Sequence, residues 1–189
     1  MDIELVGYHG TDHALVEKIR DEGFISSKGD DQWLGSGVYF YVQGLSEKPE
    51  EQAKKWSILQ AWDKKNKRNR YSAYAVFRAV IRVAQDNFLD LNTSAGQQIL
   101  EYIKNCCIKK LIHKNHGGLN FIDGIIINFA HDEMPDICID VVKCNMCIKL
   151  TREDRIYKLN SRIPNCSICA VYDPSKNITE FNLLEAGGI

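Results

Sequence analysis

The sequence contains no long apolar run, no basic leader segment and no excess of charge of either sign. No window approaches the roughly 18 uninterrupted apolar residues of a membrane span, and residues 1–4 (MDIE) resemble no part of a signal peptide. With 24 Lys and Arg against 25 Asp and Glu, the net charge of −1 provides no general attraction to nucleic acids or anionic membranes. We therefore expect a cytoplasmic protein without a membrane partner.

Internal repeats and low-complexity linkers are also missing. The 189 residues suit one domain, 1–189, with enough chain to bury a full hydrophobic core. The seven cysteines are an odd number. In a chain without a secretion signal they indicate reduced thiols or metal ligands before disulfides.

The order of the predicted elements favours an α+β fold. Helices are expected at 12–23, 49–65 and 94–116, the last with a capping box at Ser94 and Gln97 and an end at Gly117 and Gly118. Strands are expected at 3–8, 38–42, 71–83, 124–129, 137–142, 168–172 and 178–184, although the alanines of 71–83 leave a helix open. Because helices are concentrated in the first two thirds and strands at the end, we predict α+β rather than a doubly wound parallel sheet.

The first stretch that could bind a ligand or take part in a reaction is YHGT, residues 8–11, between a predicted strand and a predicted helix. The ring nitrogen of His9 and the unobstructed backbone of Gly10 suit a polar ligand such as an amide or a ribose hydroxyl. Alternatively, Thr11 or Asp12 caps the helix and His9 is merely adjacent. The stretch alone leaves both interpretations open.

Two further stretches could supply flat faces for a ring. In WLGSGVYFYV, residues 33–42, Gly35 and Gly37 permit a close approach and Tyr39 offers a stacking surface. The alternative is a bend beside an ordinary core tyrosine. In AKKWS, residues 53–57, Trp56 could form the opposite wall, although a tryptophan at this helical spacing is more often core.

Together these stretches resemble the poly-ADP-ribose polymerase-like ADP-ribosyltransferases. That family has a strand-end His-Gly-Ser/Thr, then Gly-x-Gly-x-Tyr-Phe, then Ala-x-x-aromatic on the next helix; here they stand as YHGT, GSGVYF and AKKW in the same order. Residues 123–146 and 167–178 are similar to the later strands of small bacterial members. The resemblance implies a single ADP-ribosyltransferase-like domain, with two packed β-sheets that form an NAD cleft and are flanked by helices.

The resemblance also implies roles for individual residues. His9 and Thr11 would hold the ribose hydroxyls of NAD, and the backbone of Gly10 would bind the carboxamide. The nicotinamide would lie between Tyr39 and Trp56. The implied cofactor-binding residues are His9, Gly10, Thr11, Gly37, Tyr39, Phe40 and Trp56.

The third element of the family is a glutamate at the start of a late strand. Aligning SICAVYD with that strand puts Ser167 at the position, to within one residue, and makes His9, Tyr39 and Ser167 the implied catalytic residues. The next glutamate along the chain, Glu180, is expected to be an exposed strand residue. Without a carboxylate at the third position the resemblance implies transfer of a single ADP-ribose, because chain elongation uses that glutamate.

The implied function is therefore a mono-ADP-ribosyltransferase that cleaves NAD and modifies a protein or nucleic acid. Such enzymes act as toxins or defence effectors, for which a cognate antitoxin or immunity protein would be a partner. A catalytically inactive NAD- or ADP-ribose-binding module is the first alternative.

The second alternative comes from the cysteines. Cys144-x2-Cys147 and Cys166-x2-Cys169 have the spacing of a structural zinc site, which predicts a zinc ribbon that binds nucleic acid. The alternation of side chains along a strand opposes it, because a pair spaced by three points to opposite faces.

A local basic run, DKKNKRNRY at residues 63–71, bears on the acceptor. It is either a solvated helix end that complements the helix dipole or a patch for a phosphate-bearing partner, with Tyr71 able to stack a base.

Overall fold

The computed structural model describes residues 1–29, 32–114, 122–158 and 161–189. Nine strands lie in these ranges: β1 (Asp2–Asp12), β2 (Val38–Val42), β3 (Trp62–Asp63), β4 (Arg68–Asn69), β5 (Ala73–Ala84), β6 (Phe88–Asp90), β7 (Val141–Met146), β8 (Cys166–Val171) and β9 (Ile178–Gly188). The α-helices in the same ranges are α1 (Val16–Glu22), α2 (Pro49–Ala61), α3 (Ser94–Lys114), α4 (Ile122–Glu133), α5 (Arg152–Ile156) and α6 (Pro174–Asn177). Among the described helices, none is long and apolar enough to cross a membrane.

Seven strands form one mixed sheet in the order β6-β7-β8-β2-β1-β5-β9, and β3 and β4 form a separate hairpin. Within the large sheet, only β6 and β7 are parallel. The predicted α+β class is confirmed. The two separate packed sheets are not observed in the described residues. Instead, β2 pairs with β1 through Gly7↔Val42 and Tyr8↔Tyr41, and this pairing joins β6, β7 and β8 to β5 and β9 in one sheet.

Hydrophobic cores cover both faces of the sheet. Alternating side chains of β5 and β8 point to opposite faces. One face, the helical-face core, includes Tyr41, Ile168 and residues of α2, α3 and α4. The other, the opposite core, includes Phe40 and Phe77 together with α1. Because residues 39 and 41 alternate with 38, 40 and 42, β2 faces α2 with its tyrosines.

The predicted strand at 124–129 is wrong, because these residues lie in α4. A short apolar run has no periodicity that separates a buried strand from a buried helix. Here the run is buried as a helix, with Ile126 and Ile127 in the helical-face core. A Cβ at Gly124 would collide with the carbonyl oxygen of Gln32, so the small residue allows this helix to pack on the chain before β2.

Several predicted boundaries also differ. The second helix ends at Ala61, not at residue 65, and the basic run lies on the β3–β4 hairpin. The strand predicted at 137–142 is β7, which starts at Val141. Thr93 rather than Ser94 caps α3, since its hydroxyl accepts from the backbone N–H of Gly96 at 3.0 Å. The predicted end of this helix at residues 117 and 118 lies outside the described residues.

Candidate functional site

A cavity of about 440 Å³ lies on the sheet where β1, β2 and β8 meet α2. Five chain segments that are distant in sequence supply its described walls. Its described lining residues are His9, Gly10, Gln32, Trp33, Tyr39, Phe40, Tyr41, Trp56, Gln60, Ile148 and Ile168. The structure therefore brings together residues from all three stretches singled out in the sequence.

The imidazole of His9 is held in one tautomer. Its Nδ1 donates a hydrogen bond of 2.8 Å to the backbone carbonyl of Tyr39, and because a carbonyl can only accept, the proton is on Nδ1. The ring packs against Phe24 and Phe40, with centroid distances of 5.4 and 5.7 Å. Burial lowers the pKa of His9, and the bond to Tyr39 only partly opposes this effect. At neutral pH, His9 is thus uncharged and its Nε2 is a hydrogen-bond acceptor.

Tyr39 forms a fixed wall of the cavity. Its hydroxyl accepts from the backbone N–H of Leu34 and donates to the carbonyl of Gly35, both at 2.8 Å. Two bonds to one short loop hold the ring against rotation out of the wall. Tyr39 is therefore a positioned aromatic surface.

Trp56 reaches the cavity from α2, together with Trp33 from the segment before β2. Their ring centroids are 5.5 Å apart in an edge-on arrangement at 63°. The guanidinium of Arg155 lies 5.4 Å from the centroid of Trp56, within cation–π range. Trp33, Gln32 and Gln60 were not predicted as site residues. The sequence contains an indication of a role for Trp33, since this residue begins the glycine-rich stretch. It contains no such indication for the two glutamines, which belong to no motif.

The glycines of the site are required by the protein's own packing. A Cβ at Gly10 would collide with the carbonyl of Ala53 on α2, and one at Gly35 would collide with the hydroxyl of Tyr172. Gly35 and Gly37 also have positive φ, 81° and 148°, which L side chains rarely adopt. The close approach inferred from the paired glycines is thus made by Tyr172 and by the backbone of β8.

Thr11, Gly37, Ser167 and Glu180 are not among the described lining residues of the cavity. Thr11 pairs with Ala75 within the sheet. Phe40 borders the cavity, but its ring is fully buried in the opposite core. Glu180 is exposed on β9, as expected from its sequence context.

Ser167 is held inside the protein by hydrogen bonds to Leu45 and Asn145. It is fully buried, and its Oγ accepts from the backbone N–H of Leu45 at 2.9 Å and donates to Oδ1 of Asn145 at 2.7 Å. The neighbouring Ile168 is the β8 residue that lines the cavity. No described lining residue is a carboxylate, and the β8 residue in the lining is the apolar Ile168.

We expect Ser167→Ala to lower the free energy of unfolding by about 1–3 kcal/mol, because it leaves the N–H of Leu45 and the amide of Asn145 without their partner. Urea denaturation measures the change. The matched control is Ser72→Ala, which alters an exposed serine and should change stability by about 0.5 kcal/mol at most. A Ser167→Ala protein of unchanged stability would contradict this structural role.

The four cysteines of the zinc alternative do not converge. Cys166 and Cys169 lie on β8 but are buried in the two different cores. Cys144 is half-buried on β7, and Cys147 is exposed beyond its end. Burial raises the pKa of Cys144 to about 11 and those of Cys166 and Cys169 to about 12, which disfavours the thiolate form that binds metal. Among the described residues, no group of three or more His, Cys, Asp or Glu side chains could hold a metal ion.

Comparison with known proteins does not indicate an activity for this chain. No protein-family model matches the chain. A curated protein of Methanocaldococcus jannaschii, the uncharacterized protein MJ0359, is 28% identical over 131 residues. The match covers 67% of this chain and 56% of that protein, so the chain spans little more than half the length of the curated relative it matches. The name of this relative states no function.

Proposed function

We propose that the protein binds NAD in this cavity and transfers one ADP-ribose unit from it to a macromolecular acceptor. The observation that carries the proposal is the convergence of His9, Gly10, Tyr39 and Trp56 on one cavity of about 440 Å³. These residues come from the three stretches that resemble ADP-ribosyltransferases. A volume in the range of small-molecule sites, with aromatic walls and few polar groups, suits a nucleotide with a flat ring.

The described geometry supports a division of roles within the cavity. Tyr39 and Trp56 present aromatic surfaces to a nicotinamide ring. His9 belongs to the described lining, and we assign its Nε2 acceptor to a ribose hydroxyl, because its Nδ1 is already bonded to Tyr39. The amide of Gln60 is a further polar group in the lining that could orient the carboxamide or the ribose.

The reaction breaks the bond between the ribose carbon and the nicotinamide nitrogen, and both electrons of that bond leave with nicotinamide. A nucleophilic oxygen or nitrogen of the acceptor forms the new bond to the same carbon and releases its proton to solvent. The transition state has a cation-like sugar. The residues of the cavity would act on it by positioning and by electrostatic stabilisation, since no described lining residue offers a carboxylate as a base.

The same missing carboxylate favours a second candidate, an NAD- or ADP-ribose-binding module without turnover. Ile168 stands where the β8 strand faces the cavity, and an isoleucine can neither bond the ribose nor activate an acceptor. Binding by the aromatic walls and His9 would remain. A role as a toxin or defence effector, with a cognate antitoxin, stays a prediction under either function.

The proposed function is tested with NAD labelled in the nicotinamide and, separately, in the adenylate. Purified protein is incubated with each label and a cell lysate, and released nicotinamide and label on protein or nucleic acid are measured. We expect both signals, and NAD binding by calorimetry with a dissociation constant in the range typical of enzyme substrates, about 1 μM to 1 mM.

Two tryptophan variants make the test specific. Trp56→Ala removes a wall of the cavity and should abolish measurable NAD binding, whereas Trp62→Ala changes an exposed tryptophan outside the cavity and should retain it. Binding without nicotinamide release, with any lysate, would replace the transferase by the binding module. Equal NAD binding by both variants would show that this cavity is not the NAD site, either of a transferase or of a binding module.

A further inference from the structure

The chain's three tryptophans lie on one side of the molecule, next to two grooves outside the candidate NAD cavity. One groove, of about 590 Å³, contains Trp62 from the β3–β4 hairpin. The other, of about 440 Å³, contains Trp33 and Trp56. Both grooves include Lys64 and Arg155, so they form one surface, which we call the basic groove.

The charge of the basic groove has one sign. The cations of its described lining are Lys64, Lys149, Arg152, Arg155 and Lys158, and no acidic side chain is among the described residues of either groove. Arg152 and Arg155 are three positions apart on α5 and share a face of this helix. The acidic residues of α5, Glu153 and Asp154, do not line the groove. A near-neutral chain thus concentrates positive charge at this place.

Aromatic and cationic groups are interleaved in the basic groove. The guanidinium of Arg152 lies 5.5 Å from the ring centroid of Trp62, and Arg155 lies 5.4 Å from that of Trp56. Trp62 is nevertheless 42% exposed, so a flat ligand can reach it. Tyr71 does not serve this purpose, because its hydroxyl is bonded to the carbonyl of Ser57 and its side chain is half-buried.

The basic groove is continuous with the candidate NAD cavity. Trp33, Trp56 and Ile148 belong to the lining of both. A polymer that lies along the groove would therefore pass next to the position proposed for the nicotinamide ribose. This continuity places the groove where an acceptor has to bind.

We propose that the basic groove binds single-stranded nucleic acid, which makes a nucleic acid the acceptor of the transferase. Alternating cations and stacking aromatic rings recognise phosphates and unpaired bases at the same time. A duplex hides its bases from such rings, and an acidic peptide would use the cations but not the exposed tryptophan. The transfer step rests on the proposed function, whereas the binding step does not.

The binding step is tested by fluorescence anisotropy with a fluorescein-labelled 12-nucleotide DNA of mixed sequence, its RNA counterpart and the corresponding duplex. At 50 mM salt, we expect dissociation constants of about 1–100 μM for the single strands and at least about 10-fold weaker binding of the duplex. Contacts from five cations predict that the logarithm of the binding constant falls with a slope of up to about −3.5 against log salt. The DNA and RNA arms determine whether the 2′-hydroxyl contributes.

Variants localise the binding to the groove. Arg152→Glu with Lys158→Glu changes two exposed side chains that form no ion pair with other described residues, and should weaken binding at least about 10-fold while reducing the salt slope by about 1.4. Trp62→Ala should weaken it by roughly 10-fold through lost stacking. The matched control is Lys18→Glu, on α1 at the other face of the sheet, which should bind like the wild type.

Equal losses in Lys18→Glu and in the groove variants, or equal affinity for duplex and single strands, would overturn the proposal.

The transfer step is tested by adding labelled NAD to the bound oligonucleotide. If the wild type transfers label to the oligonucleotide and Arg152→Glu/Lys158→Glu does not, the result supports a nucleic-acid acceptor. Label on lysate protein but not on the bound oligonucleotide overturns that acceptor and leaves the transferase intact. Groove-dependent binding without nicotinamide release overturns the transferase and leaves the binding surface intact.

Discussion

Gly10→Ala is expected to lower the free energy of unfolding by about 3 kcal/mol or more. The added methyl group would collide with the backbone carbonyl of Ala53, which is fully buried on α2. A helix backbone cannot yield locally as a flexible side chain can, so α2 as a whole would have to move. Overpacking of a tight interior typically costs about 1–3 kcal/mol and sometimes more.

The consequence extends to the cavity, since Trp56 lies on the same helix. Gly10→Ala should therefore weaken NAD binding even under conditions where the variant remains folded. Denaturant unfolding followed by tryptophan fluorescence measures the first effect, and calorimetry measures the second. Gly188→Ala is the matched control on β9, where the nearest atom to an added Cβ is the Ser72 carbonyl oxygen at 4.0 Å. If Gly10→Ala were as stable as this control, the tight contact between β1 and α2 would be wrong.

Replacing His9 is expected to reduce nicotinamide release by about 100-fold, the typical loss for one positioning or electrostatic contact. The variant of choice is His9→Asn. Its amide can still donate to the carbonyl of Tyr39, as Nδ1 does at 2.8 Å, but it lacks the nitrogen corresponding to Nε2. The fold should therefore remain while turnover falls, which separates a functional from a structural role of this ring.

Two controls accompany the His9 variant. His13→Asn alters an exposed histidine in the 3₁₀ turn after β1 and should leave nicotinamide release unchanged. The wild-type rate should also begin to fall only below the pH at which an ordinary histidine titrates, because burial lowers the pKa of His9 and disfavours the charged ring. A His9→Asn protein that releases nicotinamide at the wild-type rate would exclude His9 from the reaction.

Strand β2 was predictable from local sequence. Val38 to Val42 is a run of β-branched and aromatic residues, and β2 has these bounds. The start of α2 follows from Pro49 at the first helical turn, where a missing N–H costs nothing. In both cases the decisive interactions are within a few residues, so the pattern and the structure agree.

Elements decided by packing were not predictable in this way. The isoleucines of α4 can be buried equally well as a strand or as a helix, and contact with the chain before β2 decides between them. The basic run forms a hairpin because Trp62 pairs with Asn69, a contact that a helix continuing through Lys64 would exclude. Short segments have two acceptable local solutions, and the surrounding core selects one.

The candidate site shows the same division. The sequence by itself determined that His9, Tyr39 and Trp56 are present in a particular order, and the tertiary structure places them around one cavity. The direction of each β8 side chain was decided only by the pairing of that strand. Cys169 pairs with Phe40 and Ile168 with Tyr41, and this register turns Ile168 towards the cavity and Ser167 away from it. A shift of one residue exchanges the two faces of a strand, so an alignment uncertain by one position could not assign either residue to the site.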